Sequence, residues 1–214
     1  MRLTVSTVLF SVLASTAMAE QVNFANGWQE QRLSLLRSND YTFGSTLDMV
    51  SKGTVSIAWS RTAQSDWGTS GASWSWQVDE SVPATNLANK GGDDRNISIY
   101  FVFVPDALAP TLEGANIRSL LGNKDVRIIQ YAWGGDAGAQ GKVIPSPYGP
   151  SGQGVTIPLR AAGTGTHSES VDLAADYKRA FGDSKGALVG LAVSGDSDDT
   201  KSVIRASISN LTLK

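Results

Sequence analysis

Alternation of apolar and polar residues with a period of two constrains the fold of this chain more than any other feature. Trp74, Trp76 and Val78 alternate with Ser73, Ser75 and Gln77. Successive side chains of a β-strand point to opposite faces of the sheet, so one face of this segment is apolar and the other polar. The pattern is typical of a half-buried strand in an antiparallel sheet.

A second segment with the same period covers residues 54–59. Val55, Ile57 and Trp59 lie on one face, and Thr54, Ser56 and Ala58 lie on the other. A half-buried strand usually turns its apolar face inward. We therefore expect Ile57 and Trp59 to face the core.

Further strands follow along the chain. Residues 97–104 begin with alternation and then become apolar on both faces, which is typical of a central strand. Other predicted strands cover residues 126–133, 155–159, 188–193 and 203–213. In the last of these the apolar face changes between Ile208 and Leu211, which predicts a bulge or bend near Asn210.

The chain shows one convincing helical pattern. Leu173, Tyr177 and Phe181 lie four residues apart, Asp172 is a suitable N-cap, and Gly182 is a suitable stop. Many strands with a single short helix imply two packed sheets. The sequence therefore predicts an all-β fold, an antiparallel β-sandwich of jelly-roll type.

The first 19 residues are typical of an export signal. Arg2 is followed by an apolar run, and Ala17-Met18-Ala19 is a small-x-small cleavage pattern. We expect cleavage after Ala19, a periplasmic or secreted location, and a single β-sandwich domain over residues 20–214.

The bulk composition excludes several classes of protein. The chain has no cysteine, so disulfides cannot stabilise it. Its net charge is −2 and it has no basic cluster, which argues against nucleic acid as a partner. No other segment has the length and apolarity of a transmembrane helix.

Two acidic loops are the most distinctive polar feature. Asp93 and Asp94 precede the strand at 97–104, and Asp196, Asp198 and Asp199 follow the strand at 188–193. Carboxylates on a short loop can turn oxygen atoms towards a hard cation, so we expect a Ca²⁺ site at Asp196, Asp198 and Asp199. If the two strands are neighbours, both loops can share one ion. The alternative is that these aspartates only cap backbone N–H groups in turns.

Aromatic residues at strand ends and in turns are the candidate ligand contacts. Trp74 and Trp76 share one strand face and favour the core. Tyr131, Trp133 and Tyr148 lie beside glycine- or proline-rich loops, where we expect accessible rings. The predicted ligand-binding residues are therefore Tyr131, Trp133, Tyr148 and Asp94, with a carbohydrate as the expected ligand.

Two other functions remain open from the residues alone. A glycoside hydrolase or lyase needs two carboxyl groups, and Asp94, Glu169 and Asp172 are available. An envelope protein that binds another protein is the second alternative. Zinc chemistry is disfavoured because the chain has one histidine, His167, which we expect in a surface loop.

Six motifs together resemble a bacterial family known as domain of unknown function 3047. They are WSWQVDESVP at 74–83, KGGDDRNISIYFVF at 90–103, YAW at 131–133, SPY at 146–148, DYKRAFG at 176–182 and GDSDDT at 195–200. The resemblance covers about residues 41–213. It implies an exported protein with a jelly-roll sandwich similar to carbohydrate-binding modules, and it implies no particular activity.

The sequence departs from the family pattern at two places. His167 stands before Glu169 where the family tends to have an aromatic residue, and Arg95-Asn96 follows the paired aspartates where small or apolar residues are usual. The reading that combines all these patterns is an exported sandwich that binds a carbohydrate, with calcium bracing its acidic loops.

Overall fold

Two β-sheets packed face to face form the molecule, in a computed structural model that describes residues 20–214. The predicted export signal lies outside the described residues. The strands are β1 (Glu20–Gln21), β2 (Gln29–Arg32), β3 (Asp40–Phe43), β4 (Thr46–Lys52), β5 (Ser56–Arg61), β6 (Gly71–Glu80), β7 (Arg95–Val104), β8 (Arg127–Trp133), β9 (Ile144–Pro145), β10 (Gly154–Arg160), β11 (Gly165–Asp172), β12 (Ala187–Asp196) and β13 (Val203–Leu213). The helices are α1 (Ile117–Leu121) and α2 (Leu173–Phe181).

The strand order confirms the predicted sandwich. One sheet has six strands in the order β11-β6-β13-β4-β3, with β1 also paired to β13, and the other has seven in the order β2-β5-β12-β7-β8-β10-β9. Consecutive strands such as β4, β5, β6 and β7 alternate between the sheets, as in a jelly roll. The pairing is antiparallel except for β8 and β10, which run parallel. Within residues 20–214, no helix has the length and apolarity needed to cross a membrane.

Aromatic side chains fill the space between the sheets. Trp74 and Trp76 are buried, which confirms the core reading, and their rings lie edge to face with centroids 5.4 Å apart. Trp74 also contacts Tyr131 at 5.7 Å, and Trp76 contacts Trp133 at 5.8 Å. Rings from both sheets therefore form one continuous cluster.

Local signals for the helix and the bulge are confirmed. The Asp172 side chain accepts a hydrogen bond from the Ala175 N–H at 2.8 Å, and Gly182 ends α2 with φ of 80°. The pairing of β13 with β6 shifts register between Ser209 and Thr212, and Asn210 there has φ of 55°. The bulge turns the end of the strand so that its apolar side chains continue to face the core.

The expected orientation of β5 is wrong. Ser56 and Ala58 face the core, whereas Ile57 and Trp59 are half-exposed on the outer face. The neighbouring strand decides this, because Ala58 pairs with Val193, which faces the core, and paired residues share a face. The apolar face of β5 is thus its outer one.

Several strands were not predicted, although β4 and β11 do alternate between more and less buried residues. They include β2, β3, β4 and β11, which lie at or next to the sheet edges. The prediction of a surface loop at His167 is wrong, because His167 lies in β11 and pairs with Trp76. Its ring packs against Trp133 with centroids 4.9 Å apart.

Candidate functional site

A groove of about 260 Å³ crosses the outer face of the seven-stranded sheet. The outward side chains of five strands form its floor, and the rings of Trp59, Tyr100 and Tyr148 line it. Tyr148 is 45% exposed, which agrees with the expectation of an accessible ring. A concave surface with several aromatic rings is the usual form of a small-ligand site.

The register of the sheet arranges the floor in rows. One row runs Trp59, Ala192, Tyr100 and Gln130 across β5, β12, β7 and β8. The next row, two residues further along each strand, runs through Gly190, Val102 and Ile128. The first row is aromatic and polar. The second is aliphatic at Val102 and Ile128 and ends at Arg61 of β5, which pairs with Gly190.

Two chain segments form the walls of the groove. Leu120 and Leu121 belong to α1, and residues 146–153 form the turn that carries Tyr148. The Gln153 amide group ties the walls together, since its Nε2 donates to the carbonyl oxygens of Leu121 and Asn123 at 3.0 Å each. These bonds hold the rim of the groove in place.

The Tyr148 hydroxyl connects the groove to the acidic loops. It donates to Asp93 Oδ1 at 2.8 Å and accepts from the Gly91 N–H at 3.3 Å. Partial burial and the nearby Asp93 carboxylate raise the pKa of Tyr148 to about 12. The phenol therefore remains protonated near neutral pH and keeps its role as a donor to Asp93. Lys90 Nζ lies 5.4 Å from the centre of the ring.

Arg95 lies at the centre of a buried charged cluster that contacts the hydroxyl groups of Tyr100 and Tyr148. Its Nη1 donates to Asp93 Oδ2 at 3.0 Å and to Asp196 Oδ2 at 3.2 Å, and its Nη2 donates to the Tyr100 hydroxyl at 3.0 Å. The register shift between Ser194 and Asp196 places Arg95 beside Asp196. A buried guanidinium keeps its charge, so it compensates these two carboxylates from within the protein.

The two acidic loops meet, as the sequence suggested they would if their strands were neighbours. Strands β7 and β12 pair along their length, and Arg95 pairs with Asp196. One carboxylate oxygen from each of Asp94, Asp196 and Asp198 lies within 4.8 Å of the others. Asp199 is exposed and is outside that group of three.

Each member of the acidic group has a different environment. Asp94 Oδ2 accepts from the Thr200 N–H at 2.7 Å and from the Thr200 hydroxyl at 2.6 Å, so Asp94 caps the turn that carries Asp198. Asp196 Oδ1 is buried and has no hydrogen-bond partner among residues 20–214. Burial raises the pKa of Asp196 to about 7; Arg95 opposes this shift, and Asp198 and Asp94 add to it.

A match over most of the chain shows the family to which it belongs. The sequence profile described as "Protein of unknown function (DUF3047)" matches residues 26–212. This chain belongs to that family. The match includes every strand from β2 to β12 and both sides of the groove.

Among solved structures, the chain is similar to the xyloglucanase domain of NopAA, a type three effector from Sinorhizobium fredii, solved in complex with cellobiose. The identity is 9% and the TM-score 0.47, over 94% of this chain and 99% of that one.

Three of the four predicted ligand contacts of this DUF3047 chain are buried, and Asp94 is among them, with 0% exposure and no place in the lining of the groove. Tyr131 is 0% exposed and Trp133 is 2% exposed, so the expectation of accessible rings is wrong for both. Both lie in β8 with their side chains between the sheets, because the register of β8 with β7 gives them the inward positions. The Tyr131 hydroxyl donates to Asp176 Oδ2 at 2.6 Å, which turns that helix residue towards the core instead of solvent.

The carboxylates considered for an enzyme are engaged elsewhere. Glu169 accepts from Arg160 Nε at 2.8 Å and from Trp76 Nε1 at 3.1 Å. Asp172 caps α2, and Asp94 caps the turn after β12. Each of the three has a structural role in the sandwich.

Trp59, Tyr100 and Arg95 are the site residues that sequence reasoning missed or set aside. The signal was present in β7, which is apolar or aromatic on both faces although a two-layer sandwich covers only one. A strand of this kind exposes an apolar outer face, and in this fold that face is the groove floor.

Proposed function

We propose that this protein binds a carbohydrate in the groove on the outer face of the seven-stranded sheet. The observation that carries the proposal is the convergence of three rings, Trp59, Tyr100 and Tyr148, on one open groove. An aromatic ring offers a flat apolar face for the C–H face of a sugar, and the tyrosine hydroxyls and tryptophan N–H add polar groups at the edge.

Binding to soluble oligosaccharides tests this proposal. A glycan array selects the ligand, and titration calorimetry compares the wild type with Trp59→Ala. We expect Trp59→Ala to lose most of the affinity because it removes the ring at one end of the floor.

A matched control is Phe43→Ala. Phe43 is also a half-buried aromatic residue, but it lies in β3 of the six-stranded sheet, outside the lining of the groove. Equal loss of affinity in both variants, or a ligand that the wild type and Trp59→Ala bind alike, contradicts the proposed site.

We also propose that a Ca²⁺ ion braces the acidic loops. Two observations support it: the close approach of Asp94, Asp196 and Asp198, and the buried Asp196 Oδ1, which has no hydrogen-bond partner within the described residues. Ca²⁺ prefers carboxylate oxygens. An ion there would offset the repulsion that Asp198 and Asp94 exert on Asp196.

Calorimetric titration with CaCl₂ after treatment with a chelator tests the ion. The wild type should release binding heat and melt at a higher temperature with calcium. Asp198→Asn should lose most of both effects, and Asp183→Asn, which changes an exposed acid after α2, should keep them. If Asp198→Asn binds calcium like the wild type, the proposed ligand set fails.

A second candidate function is cleavage of a polysaccharide in the same groove. The favouring observation is a carboxylate pair, Asp93 and Asp196, on either side of Arg95 Nη1 in the buried cluster that contacts the Tyr148 hydroxyl. Glycosidases use two carboxyl groups. Turnover that Asp196→Asn abolishes while sugar binding persists supports an enzyme; binding with no turnover of any glycan bound on the array supports a binding module.

Export is the remaining part of the proposal. It is supported by the residue pattern at 1–19, with cleavage expected after Ala19. N-terminal sequencing of the protein from a cell fractionation should give Glu20 as the first residue in the exported fraction. A full-length protein retained in the cytoplasm contradicts it.

A further inference from the structure

The groove changes its chemistry along the strand direction. Its middle row contains the aromatic rings of Trp59 and Tyr100. Val102 and Ile128 lie two residues from Tyr100 and Gln130 in one direction. Ser98 and the paired Ser194 lie two residues from Tyr100 and Ala192 in the other direction. The floor of one end is therefore aliphatic at Val102 and Ile128, with Arg61 at its β5 edge, and the floor of the other end covers buried hydroxyl groups beside Ile57.

The aliphatic end is enclosed as well as apolar. Val102 and Ile128 form the floor, and Leu120 and Leu121 of α1 form the wall. The nearby Gln153 amide N–H groups already donate to backbone carbonyls of the rim. A sugar placed there would cover apolar side chains with its hydroxyls and lose hydrogen bonds to water, which is unfavourable.

The polar end contains the hydroxyl groups of two tyrosines, which are bonded to a buried charged cluster. The Tyr100 hydroxyl contacts Arg95 Nη2 at 3.0 Å and Ser194 Oγ at 2.9 Å. The Tyr148 hydroxyl lies at the same end, bonded to Asp93. Each of these hydroxyl groups makes two hydrogen bonds within the protein, and its remaining donor or acceptor position can bond a polar ligand.

We infer that the ligand is amphipathic: a saccharide joined to an alkyl or aryl group. The apolar group lies over Val102 and Ile128 against Leu121, and the saccharide extends past the rings of Tyr100 and Tyr148. The saccharide part of this inference rests on the proposed function; the apolar part rests on the aliphatic row and its wall.

Three probes separate the two parts: n-octyl β-D-glucoside below its critical micelle concentration, methyl β-D-glucoside, and octanoate. Two measurements report binding: the change in tryptophan fluorescence, to which Trp59 in the groove contributes, and titration calorimetry. We expect the octyl glucoside to bind at least about tenfold more tightly than the methyl glucoside, because burial of each methylene group is favourable. Octanoate should bind more weakly than the octyl glucoside.

Leu121→Ser tests where the alkyl chain lies. Leu121 is 36% exposed, so its replacement has a small effect on folding, and the preference for octyl over methyl glucoside should fall at least about threefold. Val102→Thr, which keeps the shape and the strand preference, should reduce it in the same direction. The matched control is Leu36→Ser: Leu36 is 93% exposed between β2 and β3, away from the groove.

The outcomes distinguish the inference from the proposed function. Equal affinity for the octyl and methyl glucosides overturns the amphipathic ligand and leaves carbohydrate binding intact. Octanoate binding as tight as that of the octyl glucoside overturns the saccharide and leaves an apolar site. No binding of any probe at millimolar concentration, or equal effects of Leu121→Ser and Leu36→Ser, overturns the inference.

Discussion

The outer faces of the two sheets differ in chemistry although both are open to solvent. On the six-stranded sheet the outward positions of β6 and β13 are polar, as Ser73, Ser75, Gln77 and Arg205 illustrate. On the seven-stranded sheet the outward positions include Ile57, Trp59, Tyr100, Val102 and Ile128. The sandwich needs an apolar inner face on each sheet. On the seven-stranded sheet the small cluster around Val104 and Ala109 also packs against Val102 and Ile128 of the outer face, whereas Trp59 and Tyr100 lie outside that cluster.

An apolar outer face indicates a site for a ligand or partner, because folding alone does not favour it. The same face carries the buried pair of Arg95 with Asp93 and Asp196, whereas the ion pair of Arg205 with Glu80 on the other face is about half exposed. The proposed site and the buried ion pairs therefore lie on the same one of the two outer faces.

The largest expected effect separates core rings from groove rings. Trp133→Ala should lower the free energy of unfolding by about 3–5 kcal/mol, because it leaves a cavity between the sheets. Trp59→Ala, on the half-exposed groove floor, should cost about 1 kcal/mol and remove ligand binding. Urea denaturation measures both, and similar losses would mean that Trp59 is a core residue in solution.

The next largest effect on stability is expected when the arginine of an ion pair is replaced on each of the two faces. Arg95→Met should cost about 3 kcal/mol, because it leaves two buried carboxylates without their cation. Arg205→Met should cost at most about 1 kcal/mol, since its pair with Glu80 is exposed.

A double variant checks the cause of the larger loss. Arg95→Met combined with Asp196→Asn should recover part of the stability, because one of the unpaired charges is gone. Denaturation curves in which Arg95→Met and Arg205→Met coincide would show that the buried cluster is hydrated in solution.

A hydrogen-bond comparison gives a smaller effect. Tyr148→Phe removes the bond to the Asp93 carboxylate and should cost about 1–2 kcal/mol. Ser75→Ala removes the exposed bond between Ser75 and Ser168, at 2.9 Å, and should change stability by less than about 0.5 kcal/mol. Thermal melting of the two variants measures the difference. A larger loss of stability from Ser75→Ala than from Tyr148→Phe would contradict the expectation that the hydrogen bond on the groove side contributes more.

The smallest expected effect concerns the bulge in the six-stranded sheet. Asn210 has φ of 55°, a conformation that glycine adopts without a steric cost. Asn210→Gly should therefore change stability by about 0.5 kcal/mol or less, and Asn210→Val should be clearly destabilising. If the valine variant is as stable as the wild type, the bulge is not maintained in solution.

The prediction of the fold from sequence succeeded where the signal is local. The alternation of β6, the caps of α2 at Asp172 and Gly182, and the bulge near Asn210 each depend on a few neighbouring residues. Edge strands such as β2 and β11 were not predicted, because their residues are partly exposed on both faces of the strand.

The candidate site was predicted only in part. Tyr148 and the meeting of the acidic loops could be inferred, because a turn exposes its ring and two aspartate-rich loops flank adjacent strands. Tyr131 and Trp133 could not be placed correctly, since an alternating strand shows which residues share a face but not which face is covered. Trp59 was assigned to the wrong side for the same reason.

The sequence by itself determined that this chain forms strands with two distinct faces, a short capped helix and acidic turns, because each depends on the spacing of a few neighbouring residues. Only the tertiary structure decided which face each strand buries, which rings line a groove, and that Arg95 lies between Asp93 and Asp196. Those outcomes depend on strand order and register between residues that lie far apart in the chain, as in the bond from Arg95 to Asp196 and the pairing of Glu20 with Leu213. Short-range patterns carry no record of such pairings.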